Sequence, residues 1–166
     1  MAEETVWRGS VSQWKNFGFF LLQIFLAPAI VIILVFMRRS ASPEIRNFSP
    51  YILILLAVPI FIAGKRYLQT KCRVYELTSE RLKIAEGVFS KVTDTLELYR
   101  VKDIETRQPF LYRLCGIENV QLNTSDTSSP FVLAEAIPHQ VGLADKIRNQ
   151  VETIRQQKGV REIDVE

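Results

Sequence analysis

VYELTSERLKIAEGV, residues 74–88, decides the fold. Apolar and polar residues alternate on either side of Thr78-Ser79-Glu80, the period of a half-buried strand. Thr and Ser hydroxyls bond nearby backbone groups and so favour a turn. Two alternating runs with a short turn between them read as a β-hairpin. The register leaves open whether Val74 or Tyr75 faces inward. In the second run Leu82 and Ile84 share one face, and Lys83 and Ala85 the other.

The alternation continues towards the C-terminus. VTDTLEL (92–98) sets Val92, Leu96 and Leu98 against Thr93, Thr95 and Glu97, with Asp94 interrupting the apolar face. RVKDIETRQ (100–108) is a further strand or a turn leading into one. FLYRLCG (110–116) reads as a turn at a permissive Gly116. ENVQLNT (118–124) alternates again, with Val120 and Leu122 on one side. SDTSSP (125–130) has loop composition, and FVLAEA (131–136) is the last strand. From residue 137 to 159 the period becomes helical. Ala144, Ile147, Val151 and Ile154 form one apolar face, Pro138 suits a first turn and Gly159 an end. Arg148 and Glu152 are four apart on the outer side, a pair worth a few tenths of a kcal/mol. Several antiparallel strands followed by one amphipathic helix imply a helix buried against a sheet.

Towards the N-terminus the chain changes character. FGFFLLQIFLAPAIVIILVFM (17–37) carries no charge, and about 20 apolar residues cross a bilayer core. It is too long for a signal-peptide core, and Arg38 and Arg39 follow it where a cleavage site would lie. FSPYILILLAVPIFIAG (48–64) is near the lower limit, extended to residue 68 by snorkelling of Lys65 and Arg66; the alternative reading is a buried or re-entrant segment. The expected organisation is an interfacial segment over 1–16, transmembrane helices over 17–37 and 48–68, a loop over 38–47, a folded domain over 69–158 and a tail over 159–166. Pro28 and Pro59 interrupt the two helices, which membrane helices tolerate. Gln23 is positioned to bond a neighbouring helix or to meet the interface.

Six basic residues flank the pair of helices (Arg8, Lys15, Lys65, Arg66, Lys71, Arg73), against three in the loop (Arg38, Arg39, Arg46). The bias puts both termini in the cytoplasm. Trp7, Trp14, Lys65, Arg66, Lys71 and Arg73 are therefore the membrane-surface candidates. With that orientation the glycosylation-like triplets at Asn47 and Asn123 are chance matches.

Composition limits the chemistry. A net charge of +3 without a concentrated basic stripe does not suggest a nucleic-acid partner. Cys72 and Cys115 make no disulfide framework and read as buried small hydrophobes. No acid or histidine lies in either apolar run, which leaves proton relays and haem ligation without support. His139 is the single histidine and follows Pro138, a position for a helix start rather than for a base. There is no metal-ligand spacing and no glycine-rich phosphate loop. No catalytic, cofactor or metal residues are expected. A buried, perturbed acid such as Asp94 would be needed to revive an enzyme reading.

YELTSERL, the EGVFSK turn, LELYRVKDIE and RLCGIENVQL, in this order and spacing, resemble the bacterial pleckstrin-homology-like (PH-like) domain family. VWRGSVSQW is similar to the lead-in of its two-span members. The resemblance runs from Trp7 to about Ile154. It implies a bent seven-stranded antiparallel sandwich, or partly open barrel, capped by a C-terminal helix. The fold class expected is thus a membrane α-helical hairpin plus a mainly-β PH-like domain. It also implies association rather than chemistry: a non-enzymatic adaptor, auxiliary subunit or assembly factor in a larger membrane complex, with a membrane protein or a second copy as partner. The alternative is a binder of anionic lipid at the cytoplasmic surface. Arg100, Lys102, Arg107 and Arg113 are the candidate lipid or partner contacts, interleaved with Glu97, Asp103 and Glu105. Phosphoinositide-binding relatives carry basic residues at the first hairpin turn; here that turn holds Glu80. The membrane expected is the bacterial cytoplasmic membrane or an internal one such as the thylakoid.

Overall fold

The structure, a computed structural model, describes residues 3–40, 49–127 and 129–158. Most of the loop expected over 38–47, Asn47 and Phe48 of the first glycosylation-like triplet, and the tail 159–166 with Gly159 lie outside the described residues. The chain forms two compact units, Asn16–Leu68 and Met1–Lys15 with Gln69–Glu166.

The first unit is helical. Helix α1 covers Phe17–Ser40 and α2 covers Ser49–Cys72, whose last turn belongs to the other unit. Pro28 and Pro59 lie inside them. The stretch Gln13–Phe36 is long and apolar enough to cross a membrane. Its large side chains, among them Leu22, Ile24, Phe25, Ile32 and Phe36, are exposed. Arg66 lies over the Phe19 ring at 4.3 Å, so one expected membrane-surface cation stacks on an aromatic face.

Among the described residues the second unit holds seven strands in two antiparallel sheets. Strands β1 (Thr5–Ser10), β2 (Val74–Thr78), β3 (Arg81–Glu86) and β4 (Val92–Glu97) form one in the order β1-β2-β3-β4. Strands β5 (Val101–Arg107), β6 (Ile117–Thr124) and β7 (Phe131–Pro138) form the other in the order β5-β6-β7. The expected hairpin is β2–β3, with Tyr75 opposite Ile84 and Leu77 opposite Leu82. The register question resolves in favour of Tyr75: it and Leu77 are fully buried. Thr78 Oγ1 accepts the Arg81 N–H at 2.9 Å and closes the turn, as its residue type predicts. Between the sheets Leu82, Leu96, Leu98, Val120, Leu122, Ala134 and Ile137 complete the core. Antiparallel sheets with a C-terminal helix are what the resemblance implies.

The structure differs from the sequence reading in four places. Residues 5–10, placed in an interfacial segment ahead of the domain, are an edge strand of its first sheet, with Arg8 opposite Glu76 and Ser10 opposite Val74. The folded domain therefore does not start at residue 69. Trp7, expected beside Trp14 as a membrane anchor, packs against the core, whereas Trp14 is exposed. A Cβ on Gly9 would come within 2.2 Å of the Trp7 ring, so this strand needs a glycine there. FLYRLCG contains a short helix α3, Phe110–Leu114, before Gly116 at φ +64°. Finally, Pro138 ends β7 rather than starting the last helix. A 3-10 turn, His139–Val141, and Gly142 at φ +58° separate β7 from helix α4, Leu143–Lys158. Of the expected α4 stripe Ile147, Val151 and Ile154 are buried, with Leu143 added, while Ala144 is half-buried against the core.

Candidate functional site

Two places in the sheet unit combine geometry with unusual side chains. The first is the corner where the chain passes into α1 and returns from α2. Ser12 donates its N–H to the Ala136 carbonyl at 3.0 Å, and Val11 donates to the Arg73 carbonyl at 3.3 Å. Ala136 has φ +50°, in the left-handed region that costs an L residue about 1–2 kcal/mol. It sits at an irregularity where β7 gains on β6, and Asn119 Oδ1 accepts its N–H at 2.8 Å. A bulge of this kind turns neighbouring side chains out of the regular alternation.

Glu135, beside that bulge, accepts from Lys15 Nζ and from Arg73 Nη1, the latter at 2.6 Å. Arg73 also donates to Glu86 Oε2 at the end of β3, through Nε at 2.8 Å. Tyr75 reaches across beneath them: its hydroxyl accepts the Glu135 N–H at 3.1 Å and donates to the Leu133 carbonyl at 3.5 Å. One carboxylate therefore joins residues 15, 73 and 135, and Arg73 joins the two sheets. Burial pulls the Arg73 guanidinium down, but its hydrogen bond to Glu86 and the charges around it hold it above its usual range. Burial pushes the Tyr75 phenol up, and it does the same, with the Glu135 charge, to Tyr112 on α3. The arrangement is a charge-neutralised clamp on the two chain segments that lead to the helices.

The second place is the open side of the other sheet. Strand β5 is an edge, and α4 runs beside it. Val101, Lys102, Asp103 and Ile104 face Arg148, Val151, Glu152 and Arg155 across an open groove of about 140 Å³. That is well below the roughly 300–1,000 Å³ of a small-molecule pocket. Arg155 Nη2 donates to the Val101 carbonyl at 2.7 Å and satisfies one outward group of the edge. Arg148 and Glu152 both line the groove without pairing with each other, contrary to their helical spacing.

The four expected basic contacts do not form one patch. Arg100 pairs with Asp126 at 2.9 Å, and Arg107 pairs with Glu105 at 2.7 Å. The latter bond holds the Glu105 carboxyl below its usual range. Lys102 lines the groove, and Arg113 is exposed on α3. Of the membrane-surface candidates, Arg73 is committed to the clamp, while Lys65 and Lys71 are exposed. His139 is exposed and its Nδ1 meets the buried Glu118 carboxylate, so it serves the β6–β7 junction. Asp94 is exposed on β4, which removes the pocketed acid an enzyme would need there. Cys72 and Cys115 are free and half-buried. Among the described residues no three His, Cys, Asp or Glu side chains converge to hold a metal.

Sequence reasoning missed the clamp because Lys15 and Glu135 lie 120 residues apart. The signal available was the acid in FVLAEA, a charge within an otherwise apolar strand.

The family profile described as "Bacterial PH domain" matches residues 17–158, and the chain belongs to that family. The matched span takes in the two helices and ends with α4. Domains of this kind are generally non-enzymatic binding modules for lipids or proteins. Among solved structures, the Vps36 N-terminal PH domain is similar at a TM-score of 0.40 and 21% identity, over 54% of this chain and 68% of that one. A comparison with curated proteins gives no match.

Proposed function

We propose that this bacterial PH-domain chain is a non-catalytic adaptor, anchored by a two-helix membrane hairpin inserted between the first two strands of its own domain. Strand β1 precedes α1 and β2 follows α2, and the two strands are neighbours in one sheet. A chain whose flanks pair in a sheet must return to the side it left. A single crossing is incompatible with that pairing, so a membrane-spanning α1 requires α2 to cross back. This is the observation that carries the anchoring, and the basic residues around the hairpin favour a cytoplasmic domain.

The adaptor role rests on the β5 edge. Unpaired strand edges accept an added strand, with main-chain bonds supplying affinity and side-chain pockets specificity. Here the half-buried Ile104 supplies an apolar contact over a floor formed by the buried Val101 and Val151, and Lys102, Asp103, Arg148 and Glu152 supply both signs of charge. The partner is an extended segment of a membrane protein, and the chain acts as its auxiliary subunit or assembly factor in the bacterial cytoplasmic membrane or an internal membrane.

The test is affinity purification of the full chain in mild detergent, comparing wild type with Lys102→Glu/Arg148→Glu. A recurring membrane partner, bound at least about tenfold more weakly by the variant (roughly 1.4 kcal/mol), is the expected result. Circular dichroism and thermal melting of the variant must match wild type. Undiminished partner binding by the folded variant excludes the groove, and a partner-free wild-type protein excludes the adaptor.

A further inference from the structure

The end of the first sheet that joins the helices carries apolar side chains that its core does not use. Strand β2 begins at Val74, opposite Ala85, directly after Arg73 and the last turn of α2. Strand β1 ends at Ser10, opposite Val74, just before the segment leading to α1. The β3–β4 turn, Gly87–Lys91, emerges at this same end, one residue beyond the Glu86 that Arg73 holds. Phe89 at its tip is 103% exposed, and Val88 and Val92 beside it are exposed as well.

The turn is built to hold that phenylalanine out. Gly87 has φ +124°, and a Cβ there would meet the Ser90 carbonyl oxygen at 1.8 Å, so the reversal is tight. The second sheet adds to the same corner. The 3-10 turn after β7 is bonded to Gly116 through the His139 N–H at 2.9 Å, three residues beyond the Ala136 that receives Ser12. Gly116 follows α3, whose Phe110, Leu111 and Leu114 are exposed while Tyr112 and Cys115 pack on the core.

The charge at this end has one sign left over. Glu86 and Glu135 are neutralised by Arg73 and Lys15, and Glu118 meets His139. Among the described residues, Lys91, next to the Phe89 turn, and Arg113, within α3, form no ion pair with an acid. Aromatic and aliphatic side chains beside unpaired cations suit the headgroup region of an anionic bilayer. We propose that the β3–β4 turn and α3 form a lipid-facing surface, which inserts Phe89 and Leu114 into the interface and sets Lys91 and Arg113 against anionic headgroups. This rests on the membrane reading of the helices. It adds lipid contacts made by the sheet unit itself to those of the helices.

The experiment places single spin labels in the full-length chain, in a Cys72→Ser/Cys115→Ser background, reconstituted into phosphatidylcholine–phosphatidylglycerol vesicles. Labels go at Phe89→Cys, Leu114→Cys, Lys102→Cys as an aqueous control and Ile24→Cys as a helix control. Collision with oxygen and with a water-soluble nickel chelate reads the depth of each. The expected result is that the 89 and 114 labels favour oxygen, as the 24 label does, while the 102 label favours the chelate. Chelate-accessible labels at 89 and 114 with a lipid-buried label at 24 overturn the surface and keep the anchor. A chelate-accessible label at 24 removes the anchor and the surface with it. Labels at 89 and 114 shielded from both reagents assign the face to protein and overturn the lipid surface. Lys91→Glu/Arg113→Glu should raise the chelate accessibility at 89 severalfold in anionic vesicles.

Discussion

Leucine, isoleucine and phenylalanine occur in both units of the chain and are used in opposite ways. In the sheet unit Leu77, Leu82, Leu122 and Ile147 are fully buried between the sheets and α4. In the helical unit Leu22, Ile24, Phe25 and Phe61 point outward. Burying such a side chain is worth about 1.5–3 kcal/mol, so a folded protein that leaves many exposed needs another apolar medium to cover them. In the membrane reading the two units therefore answer to two solvents. The sheet unit excludes water through its own packing, and in the membrane reading the helical unit relies on lipid. The clamp at Lys15, Arg73 and Glu135 lies on the sheet side of both crossings between the units, where polar groups can still be satisfied by one another.

The largest expected effect comes from truncating a core residue. Leu82→Ala should cost about 2–5 kcal/mol, seen as a lowered unfolding midpoint in detergent solution. Ile24→Ala, an exposed truncation in α1, should change that midpoint by far less. Equal losses would erase the distinction between the units.

Next is alkaline pH. Burial holds the Tyr75 phenol above its usual range, so the folded state keeps a proton that the unfolded chain releases near pH 10. That contribution is intact below about pH 10 and is lost as pH rises through the folded value, at up to about 1.4 kcal/mol per pH unit. Tyr112 adds to it in the same direction. A pH series of melts should show the fall above pH 10, and Tyr75→Phe should flatten it.

Glu135→Gln leaves Lys15 without its counter-charge and Arg73 with Glu86 as its one carboxylate in the clamp. A loss of about 1 kcal/mol is expected, smaller at high salt because the groups are partly exposed. A loss unchanged by salt would mean that the clamp acts by packing and not by charge. The smallest effect is a gain. Ala136→Gly relieves the left-handed backbone and should stabilise the domain by about 0.5–1 kcal/mol, whereas Ala136→Val should destabilise it.

The parts of this molecule legible in its sequence are those whose signal is local. The β2–β3 hairpin, the β6 alternation and the α4 stripe each show within a dozen residues. Strand β1 does not, because its partner lies beyond the two helices, with Thr5 opposite Thr78. TVWRGS by itself is too short and too polar to compete with the apolar run that follows it, so its pattern alone points Trp7 to the membrane surface and not to the core. The dispersal of Arg100, Lys102, Arg107 and Arg113 was hidden for a similar reason. Their partners are fixed by tertiary neighbours such as Asp126 and by which of them faces α4. Glycine at φ +58° after the 3-10 turn set the true start of α4, and the apolar period alone could not mark it.

The central claim is that a membrane hairpin is inserted between two strands of one sheet. The most direct measurement is the sidedness of both termini, read by protease accessibility of small epitope tags in intact cells and in inverted membrane vesicles. The account predicts that both tags are protected in cells, that both are cleaved in inverted vesicles, and that the protein resists alkaline extraction. Termini on opposite faces would contradict it, since β1 and β2 could not then pair.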